Sequence, residues 1–436
     1  MRRIGTTRPH RVAAASACDS APLRAWLLTV TIAIAACGAP ASEPAVADDP
    51  GVYRIEYRLE PEPRREGISV TLTVAQDDHL LRQYDMRLGA VEPDSVTGDG
   101  EVSVEDGRAL WRVPEDGGEL SWFVPLQLER DSGAYDAYIT SDWALLRAED
   151  AIPVVRTVSL RGAVSNTELS FDLPSGWSSL TQYLGENHRY PIDNPEREFD
   201  RPTGWMLLGK FGRRNEDIAG VRVVVAGPTG QAVRRMDTLA LLQWNLPEIV
   251  NMLPDFPSRL TIFSAGAPMW RGGLSAPASL FIHADRPLIS ENGTSSLIHE
   301  IMHVGIGLRS ADNSDWLVEG LAEYYSLEVM RRTGTISLKR YGLAREQLRE
   351  WSKEAGPLCQ DRSAGATTAL AVQVLSQLDQ EIRAQSQYSL DDVLRRLVME
   401  NKELSIASVQ TVAEELVGFT PETLDEDNLP GCADKG

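Results

Sequence analysis

The sequence predicts a multidomain α+β protein in which a β-rich N-terminal domain precedes a mainly helical one. The chain has 436 residues, enough for roughly two or three domains. Between residues 51 and 230, short runs of β-branched and aromatic residues alternate with Gly, Pro, Asp and Asn clusters, which is typical of antiparallel strands. After residue 231 apolar residues recur at helical spacing. We therefore expect an antiparallel β-sandwich-like domain over residues 51–230 and a mainly α-helical domain over residues 231–436.

The first 50 residues carry the pattern of a targeting segment. Several arginines precede the apolar run at residues 25–36, which is shorter than the roughly 20 residues needed to span a bilayer, so residues 1–36 are predicted to be a signal peptide. The run ends in IAAC, which resembles the lipobox of bacterial lipoproteins, and this resemblance implies that Cys37 carries a lipid. A plain secretory signal and a retained membrane anchor are the alternatives. Residues 37–50 are small, acidic and Pro-rich, as in a flexible tether.

Charge and cysteine content narrow the possible partners and the compartment. The formal net charge of −20 excludes nucleic acid as a natural partner, because an acidic surface repels phosphate backbones. Of the four cysteines, Cys18 leaves with the predicted signal and Cys37 takes the lipid. Cys359 and Cys432 remain, and an oxidising compartment favours a disulfide between them. Two unpaired buried cysteines are the alternative. The expected location is the cell envelope, at the outer membrane or periplasmic face.

The helical half begins with a predicted helix over residues 236–253, continues with two predicted strands at residues 259–265 and 278–283, and is almost entirely helical from residue 294. Thr294 is the predicted N-cap of a helix over residues 295–306, and Asn313 or Ser314 that of a helix over residues 315–332. Four further helices are predicted at residues 336–351, 365–384, 389–401 and 405–417.

The first of these helices carries HEIMH, residues 299–303. Residues four apart lie on one helix face, so His299 and His303 can direct their imidazoles to one point. That arrangement suits zinc, which binds neutral imidazole nitrogen. Glu300 projects beside such a metal, where it can take a proton from a water molecule.

A third protein ligand is expected in the next helix, since hydrolytic zinc sites use three and leave one position open. Glu319 is the candidate. Glu323 follows by one helical turn on the same face, where it can bond the far nitrogen of a ligand histidine, His299 by preference, and fix its tautomer. HExxH also occurs by chance in proteins without zinc, but two glutamates and two histidines on packed helix faces are costly to bury without a metal or partners.

The motif HExxH followed by W-x-x-E-G-x-x-x-Y-Y resembles the gluzincin metallopeptidases, and most closely the glycyl aminopeptidase family. The resemblance covers about residues 207–418. It implies a thermolysin-like catalytic domain, zinc ligands at His299, His303 and Glu319, and Glu300 as general base. The chain after this region is too short for the PDZ domain with which that family usually ends.

Two positions depart from that family's pattern. Ser275 stands where related aminopeptidases carry a glutamate that captures the substrate's free amino group. Arg362 stands where relatives place a tyrosine that stabilises the oxyanion, and an arginine can stabilise negative charge by itself. Tyr388, Tyr324 and Arg309 are further candidates for the oxyanion role.

Together these features predict zinc-dependent hydrolysis of peptide bonds in the bacterial cell envelope. The substrate would be a peptide or protein, and both aminopeptidase and endopeptidase modes stay open. The alternative is a zinc-bearing lipoprotein with a binding or scaffold role and little or no catalysis.

Overall fold

The computed structural model describes residues 51–194 and 199–432. The predicted signal peptide, the lipidation site Cys37 and the tether lie outside the described residues.

The N-terminal part of the described chain is built almost entirely of strands. Between β10 and β11 lies one short helix, α1 (Ala148–Ala151). The strands are β1 (Val52–Glu62), β2 (Gly67–Ala75), β3 (Leu81–Arg87), β4 (Thr97–Gly98), β5 (Glu101–Glu105), β6 (Arg108–Arg112), β7 (Gly117–Pro125), β8 (Leu128–Glu129), β9 (Tyr135–Ile139), β10 (Trp143–Arg147), β11 (Val155–Ser159), β12 (Val164–Phe171), β13 (Ser178–Leu180), β14 (Arg189–Ile192) and β15 (Trp205–Gly209).

These strands form three sheets around one hydrophobic core. The strand orders are β14-β12-β1-β2-β7-β4, β11-β3-β6-β5 and β13-β15-β10-β9-β8. Neighbours are antiparallel except β1 and β12, which run parallel. Alternate residues of β1 and β3 point into the shared core, where the Tyr57 and Tyr84 hydroxyls lie 3.3 Å apart. Within the predicted β-rich region, a turn at residues 161–162 separates β11 from β12.

A fourth, mixed sheet opens the second half of the chain, with the order β16-β17-β18-β20-β19. Its strands are β16 (Phe211–Ile218), β17 (Val221–Pro228), β18 (Arg259–Ala265), β19 (Gly273–Ala276) and β20 (Ser279–His283). Strand β17 pairs with β18, so strands from both sides of residue 230 belong to one sheet. The predicted domain boundary at residue 230 lies between these two strands in the sequence.

The mixed sheet is covered on both faces. Val223 and Val225 of β17 pack into the core of the helices, whereas Val224 and Ala226 face the sheet that contains β10 and β15. Trp205 of β15 is fully buried in this second contact, and its indole N–H donates to the Leu274 carbonyl of β19 over 3.0 Å. The β-rich part therefore supports the strand at the edge of the mixed sheet.

The β-rich part also contacts the segment that leads into β19. The Tyr135 N–H donates to the Pro268 carbonyl over 3.0 Å, and the Trp270 N–H donates to the Tyr135 carbonyl over 2.8 Å. The Arg130 guanidinium lies over the Trp270 ring, 3.8 Å from its centroid.

Helices pack on the other face of the mixed sheet. The N-cap of α3 is Ser295, one residue after the predicted Thr294, because the Ser295 hydroxyl accepts from the Ile298 N–H while Thr294 bonds to Ser290. No helix among the described residues is long and apolar enough to cross a membrane. The helices are α2 (Arg235–Met252), α3 (Ser296–Ile306), α4 (Asp315–Arg332), α5 (Leu338–Trp351), α6 (Ala366–Gln385), α7 (Leu390–Met399) and α8 (Ile406–Val417).

Cys359 and Cys432, the predicted pair, form a disulfide that ties the C-terminal segment to the loop before α6. Its removal by a Cys359→Ser, Cys432→Ser double substitution is expected to lower the free energy of unfolding by about 4 kcal/mol, because the unfolded chain regains the entropy of a long loop. Chemical denaturation with and without reductant measures this. Reductant should shift the unfolding midpoint of the wild type but not of the double variant, and an insensitive wild type would contradict the expectation.

Candidate metal centre

Helix α3 brings His299 and His303 together. Leu297, Ile298 and Ile301 pack the opposite side of this helix into the core, which turns the two histidines toward the sheet edge and α4. Their ring centroids lie 4.7 Å apart and their Nε2 atoms 3.0 Å apart. Both Nε2 atoms therefore point to one location.

Helix α4 places Glu319 at the same location. The distance from Glu319 Oε2 to His299 Nε2 is 3.4 Å, and that from Oε1 to His303 Nε2 is 3.5 Å. Ligand atoms 2.0–2.1 Å from a tetrahedral zinc ion lie about 3.3 Å from one another. The observed separations fit that geometry, and these three residues are the set within the described chain whose ligand atoms can hold a metal ion.

The charges of this cluster favour a cation. Burial acts to raise the pKa of Glu319, but hydrogen bonds to His299 and His303 outweigh it and hold the pKa well below its usual value. Burial acts to lower the pKa of His299, but the Glu319 and Glu323 carboxylates outweigh burial and raise the pKa well above its usual value. Glu319 is thus ionised and the imidazoles face negative charge, so a proton or a dication is needed to balance the site.

Glu323 lies one turn after Glu319 and contacts the far side of His299. Its Oε2 atom is 2.9 Å from His299 Nδ1. When Nδ1 carries the proton and donates it to the carboxylate, the Nε2 lone pair faces the shared location. The structure therefore brings Glu323 to the position that the helical spacing predicts.

Glu300 is held beside the cluster and away from the shared location of the three ligand atoms. Its residue is 8% exposed, and burial raises the pKa of its carboxyl group while His299 and His303 lower it. The backbone of Ser275 on β19 lies near this carboxylate and also lowers its pKa. A Cβ atom at Gly273 would lie 2.7 Å from Glu300 Cγ, so glycine at this position leaves room for the glutamate.

The cluster lies in an open cleft of about 500 Å³. Trp270, Gly273 and Leu274 form the wall on the β19 side, and Leu348 and Trp351 of α5 belong to the opposite wall. The start of α6 contributes Ser363, Ala364, Gly365, Thr368 and Ala369, and Arg286, Thr294 and Ser296 complete the lining together with the metal cluster. The lining therefore combines apolar side chains with polar ones and with the charged groups of the metal cluster.

The residues predicted for the oxyanion role do not line this cleft. Arg362 is exposed, because the Ser363 N–H is bonded to the Asp315 carboxylate over 2.6 Å and the loop presents Ser363 to the cleft instead. The buried Tyr324 hydroxyl donates to Asp379 over 3.1 Å, on a different side of α4.

The other two oxyanion candidates also lie elsewhere. Arg309 is exposed just after α3 ends, and Tyr388 packs on the helical core before α7. Among the described residues, none of the four predicted positions therefore supplies a donor within the cleft lining.

Sequence reasoning missed most of the cleft wall. Trp351 and Arg286 each stand at the end of a helix or strand with no motif around them, so no local pattern marks them. The contact between Ser275 and Glu300 involves backbone atoms, which every residue has.

Glu323→Gln is expected to weaken zinc binding by roughly 10- to 100-fold, because a neutral amide supports the His299 tautomer less well than a carboxylate. Competition with a chromogenic chelator measures the zinc affinity. Glu346→Gln, on an exposed stretch of α5, is the matched control and should leave the affinity unchanged. Equal affinities for the Glu323 variant and the wild type would show that the carboxylate does not act on the metal.

Comparison with known proteins yields solved structures only. No protein-family model matches the chain, and no curated protein matches it. An aminopeptidase N family protein from Idiomarina loihiensis is similar over 88% of this chain and 77% of its own, with 14% identity and a TM-score of 0.63. An M1 zinc metallopeptidase variant from Deinococcus radiodurans, bound to a Tyr-Ser-Ala substrate, is similar over 89% of this chain and 95% of its own, with 16% identity and a TM-score of 0.57.

A two-domain M1 zinc metallopeptidase variant bound to L-tryptophan is similar over 86% of this chain and 92% of its own, with 15% identity and a TM-score of 0.54. These likenesses show a shared fold, with a β-rich N-terminal region before a helical part. The resemblance to gluzincin metallopeptidases and the closer one to the glycyl aminopeptidase family stay predictions. The chain thus has the two-part architecture of the M1 zinc metallopeptidases.

Proposed function

We propose that this protein is a zinc-dependent peptidase. The observation that carries the proposal is the convergence of His299, His303 and Glu319 at separations that suit a tetrahedral ion, with the buried Glu300 beside them. Structural zinc sites usually have four protein ligands, whereas catalytic ones have three and an open position. The set of three within the described residues favours catalysis over a scaffold role.

In the proposed reaction Glu300 is the general base. Zinc, when bound by the three residues, supplies a Lewis acid that polarises the scissile carbonyl and acidifies a water molecule. Glu300 accepts a proton from the attacking water and delivers it to the leaving amine. Burial raises the pKa of the Glu300 carboxyl group toward the range useful for a base.

The edge strand β19 is the proposed docking site for the substrate backbone. It pairs with β20 on one side only, so its other edge can pair with an extended peptide. Trp270, Leu274 and Trp351 then offer apolar surface to the substrate side chains next to the scissile bond.

We infer that a free substrate amino group is not required, which favours an endopeptidase over an aminopeptidase. The carboxylates among the described cleft-lining residues are Glu300, Glu319 and Glu323, and all three belong to the proposed metal centre. Ser275 offers no carboxylate. A buried or half-buried ammonium group would therefore lack a partner of its own.

The proposed location is the cell envelope, with the protein held at the membrane by a lipid on Cys37. The IAAC sequence supports this. Fractionation of cells that produce Cys37→Ser tests it. The variant should move from the membrane fraction to the soluble fraction, and an unchanged distribution would contradict the lipid.

The proposed activity is tested by metal analysis and a peptide-library digest on one preparation. Mass spectrometry should find about one zinc per chain, and matched peptides with free and acetylated N-termini should both be cleaved. Removal of zinc with a chelator should abolish cleavage, and added zinc should restore it. Bound zinc with intact peptides throughout would favour the binding or scaffold alternative.

A further inference from the structure

Two arginines lie together at the open end of the β19–β20 pair. Arg271 precedes β19 and Arg286 follows β20. The His283 N–H donates to the Gly272 carbonyl over 3.0 Å, which extends the pairing of the strands by one step and holds the two flanking loops side by side. Both arginines are exposed. We refer to Arg271 and Arg286 as the arginine rim.

The arginine rim has no ion-pair partner within the described residues. Asp285 is adjacent in sequence, but its Oδ2 atom lies 4.0 Å from His283 Nδ1 and forms an ion pair with no arginine. The rim therefore presents positive charge to solvent.

The electrostatics of His283 agree with this arrangement. Burial is the main cause of its lowered pKa, Asp285 opposes the change, and the charges of Arg271 and Arg286 lower the pKa further. Both guanidinium groups thus act on the same imidazole, which places them in one region of positive potential.

The rim belongs to the cleft of the proposed metal centre. Arg286 is among the cleft-lining residues, and Arg271 lies between Trp270 and Gly273, which both line it. Apart from the two histidines, Arg286 is the one cationic residue of the described lining. Arg234 donates to the Arg286 backbone carbonyl, so the loop is fixed while the Arg286 side chain stays free for a ligand.

We propose that the substrate presents a carboxylate to the arginine rim, either an acidic side chain or a free C-terminus. This inference rests on the proposed peptidase function and names the chemistry of its substrate. A guanidinium group binds a carboxylate through two parallel hydrogen bonds, which fixes orientation as well as charge. The position of the rim beside β19 would hold an extended peptide at one end while its backbone follows the strand edge.

The test uses peptides that differ in one group only. One series carries Glu, Gln or Lys at each position on either side of the scissile bond, in a peptide with blocked ends. The second series compares a free C-terminal carboxylate with its amide. The anionic member of one series should have a kcat/KM about three- to tenfold above its neutral partner, as expected for a partly exposed charged pair. The series that responds identifies the source of the carboxylate.

Arg286→Gln should lower kcat/KM for the anionic peptide to the value for its neutral partner, which removes the preference. Arg161→Gln, in an exposed turn of the β-rich part, makes the same change in net charge and should keep the preference. Equal rates for anionic and neutral peptides in the wild type would overturn the inference and leave the peptidase function intact.

Calorimetry of peptide binding to the zinc-loaded Glu300→Gln variant separates the rim proposal from the peptidase proposal. Tighter binding of the anionic peptide there, with no turnover by the wild type, would support the rim and refute the peptidase function. Equal binding of anionic and neutral peptides, or no binding at all, would overturn the rim.

Discussion

Glu300→Gln is expected to lower kcat for peptide hydrolysis by roughly 10²- to 10⁴-fold, the usual contribution of a positioned general base, while zinc content stays at the wild-type level. The amide is close in size to the carboxylate, so the fold and the position of β19 should persist. What is lost is the ability to take a proton. Steady-state kinetics and metal analysis on the same preparation measure both quantities.

His303→Ala is the companion variant and should lose both activity and metal, because it removes one of the three atoms that surround the proposed ion. The two variants together separate proton transfer from metal binding. Hydrolysis retained in a Glu300→Gln preparation free of wild-type enzyme would refute the assignment of Glu300.

Trp205→Ala is expected to lower the free energy of unfolding by about 3–5 kcal/mol, as for other large-to-small substitutions of buried aromatic residues. Trp205 is fully buried, its ring centroid lies 5.2 Å from that of Phe281, and its indole N–H bonds the Leu274 carbonyl of β19. The substitution leaves a cavity between the two sheets and releases the strand that lies beside Glu300. Chemical denaturation measures the loss, and peptide cleavage should fall under conditions where the variant is still folded.

Two control variants isolate the cause. Trp244→Ala removes a tryptophan that is 71% exposed on α2, and a change within about 0.5 kcal/mol is expected. Trp205→Phe keeps an aromatic ring but removes the bond to Leu274, so it should cost less stability than Trp205→Ala while still lowering activity. Full activity in Trp205→Phe would show that this bond does not position β19.

Sequence predicts two kinds of element in this fold. These are strands that are buried on both faces and helices that are buried on one side, because burial leaves a recognisable pattern of apolar residues. The run at residues 259–265 is rich in apolar residues and coincides with β18, which is buried from Leu260 onward, because that strand lies between helices and a second sheet. β16 was missed because its residues are largely polar and exposed, as befits an edge strand paired only with β17.

The same distinction applies to the candidate site. His299, His303 and Glu323 follow from helical spacing, which depends on local geometry alone. The orientation of the loop that carries Arg362 depends on contacts with residues far away in the sequence. These are the hydrogen bond from the Ser363 N–H to Asp315 and the disulfide between Cys359 and Cys432. No local pattern encodes which face of that loop meets the cleft.

The hydrogen bonds between Tyr135 and the segment around Trp270, with Arg130 stacked on the indole, tie the N-terminal half to one wall of the cleft. Substitutions at Tyr135 or Arg130 are therefore expected to displace Trp270 without altering any proposed metal ligand. The helical half produced alone would lack these contacts behind its cleft wall.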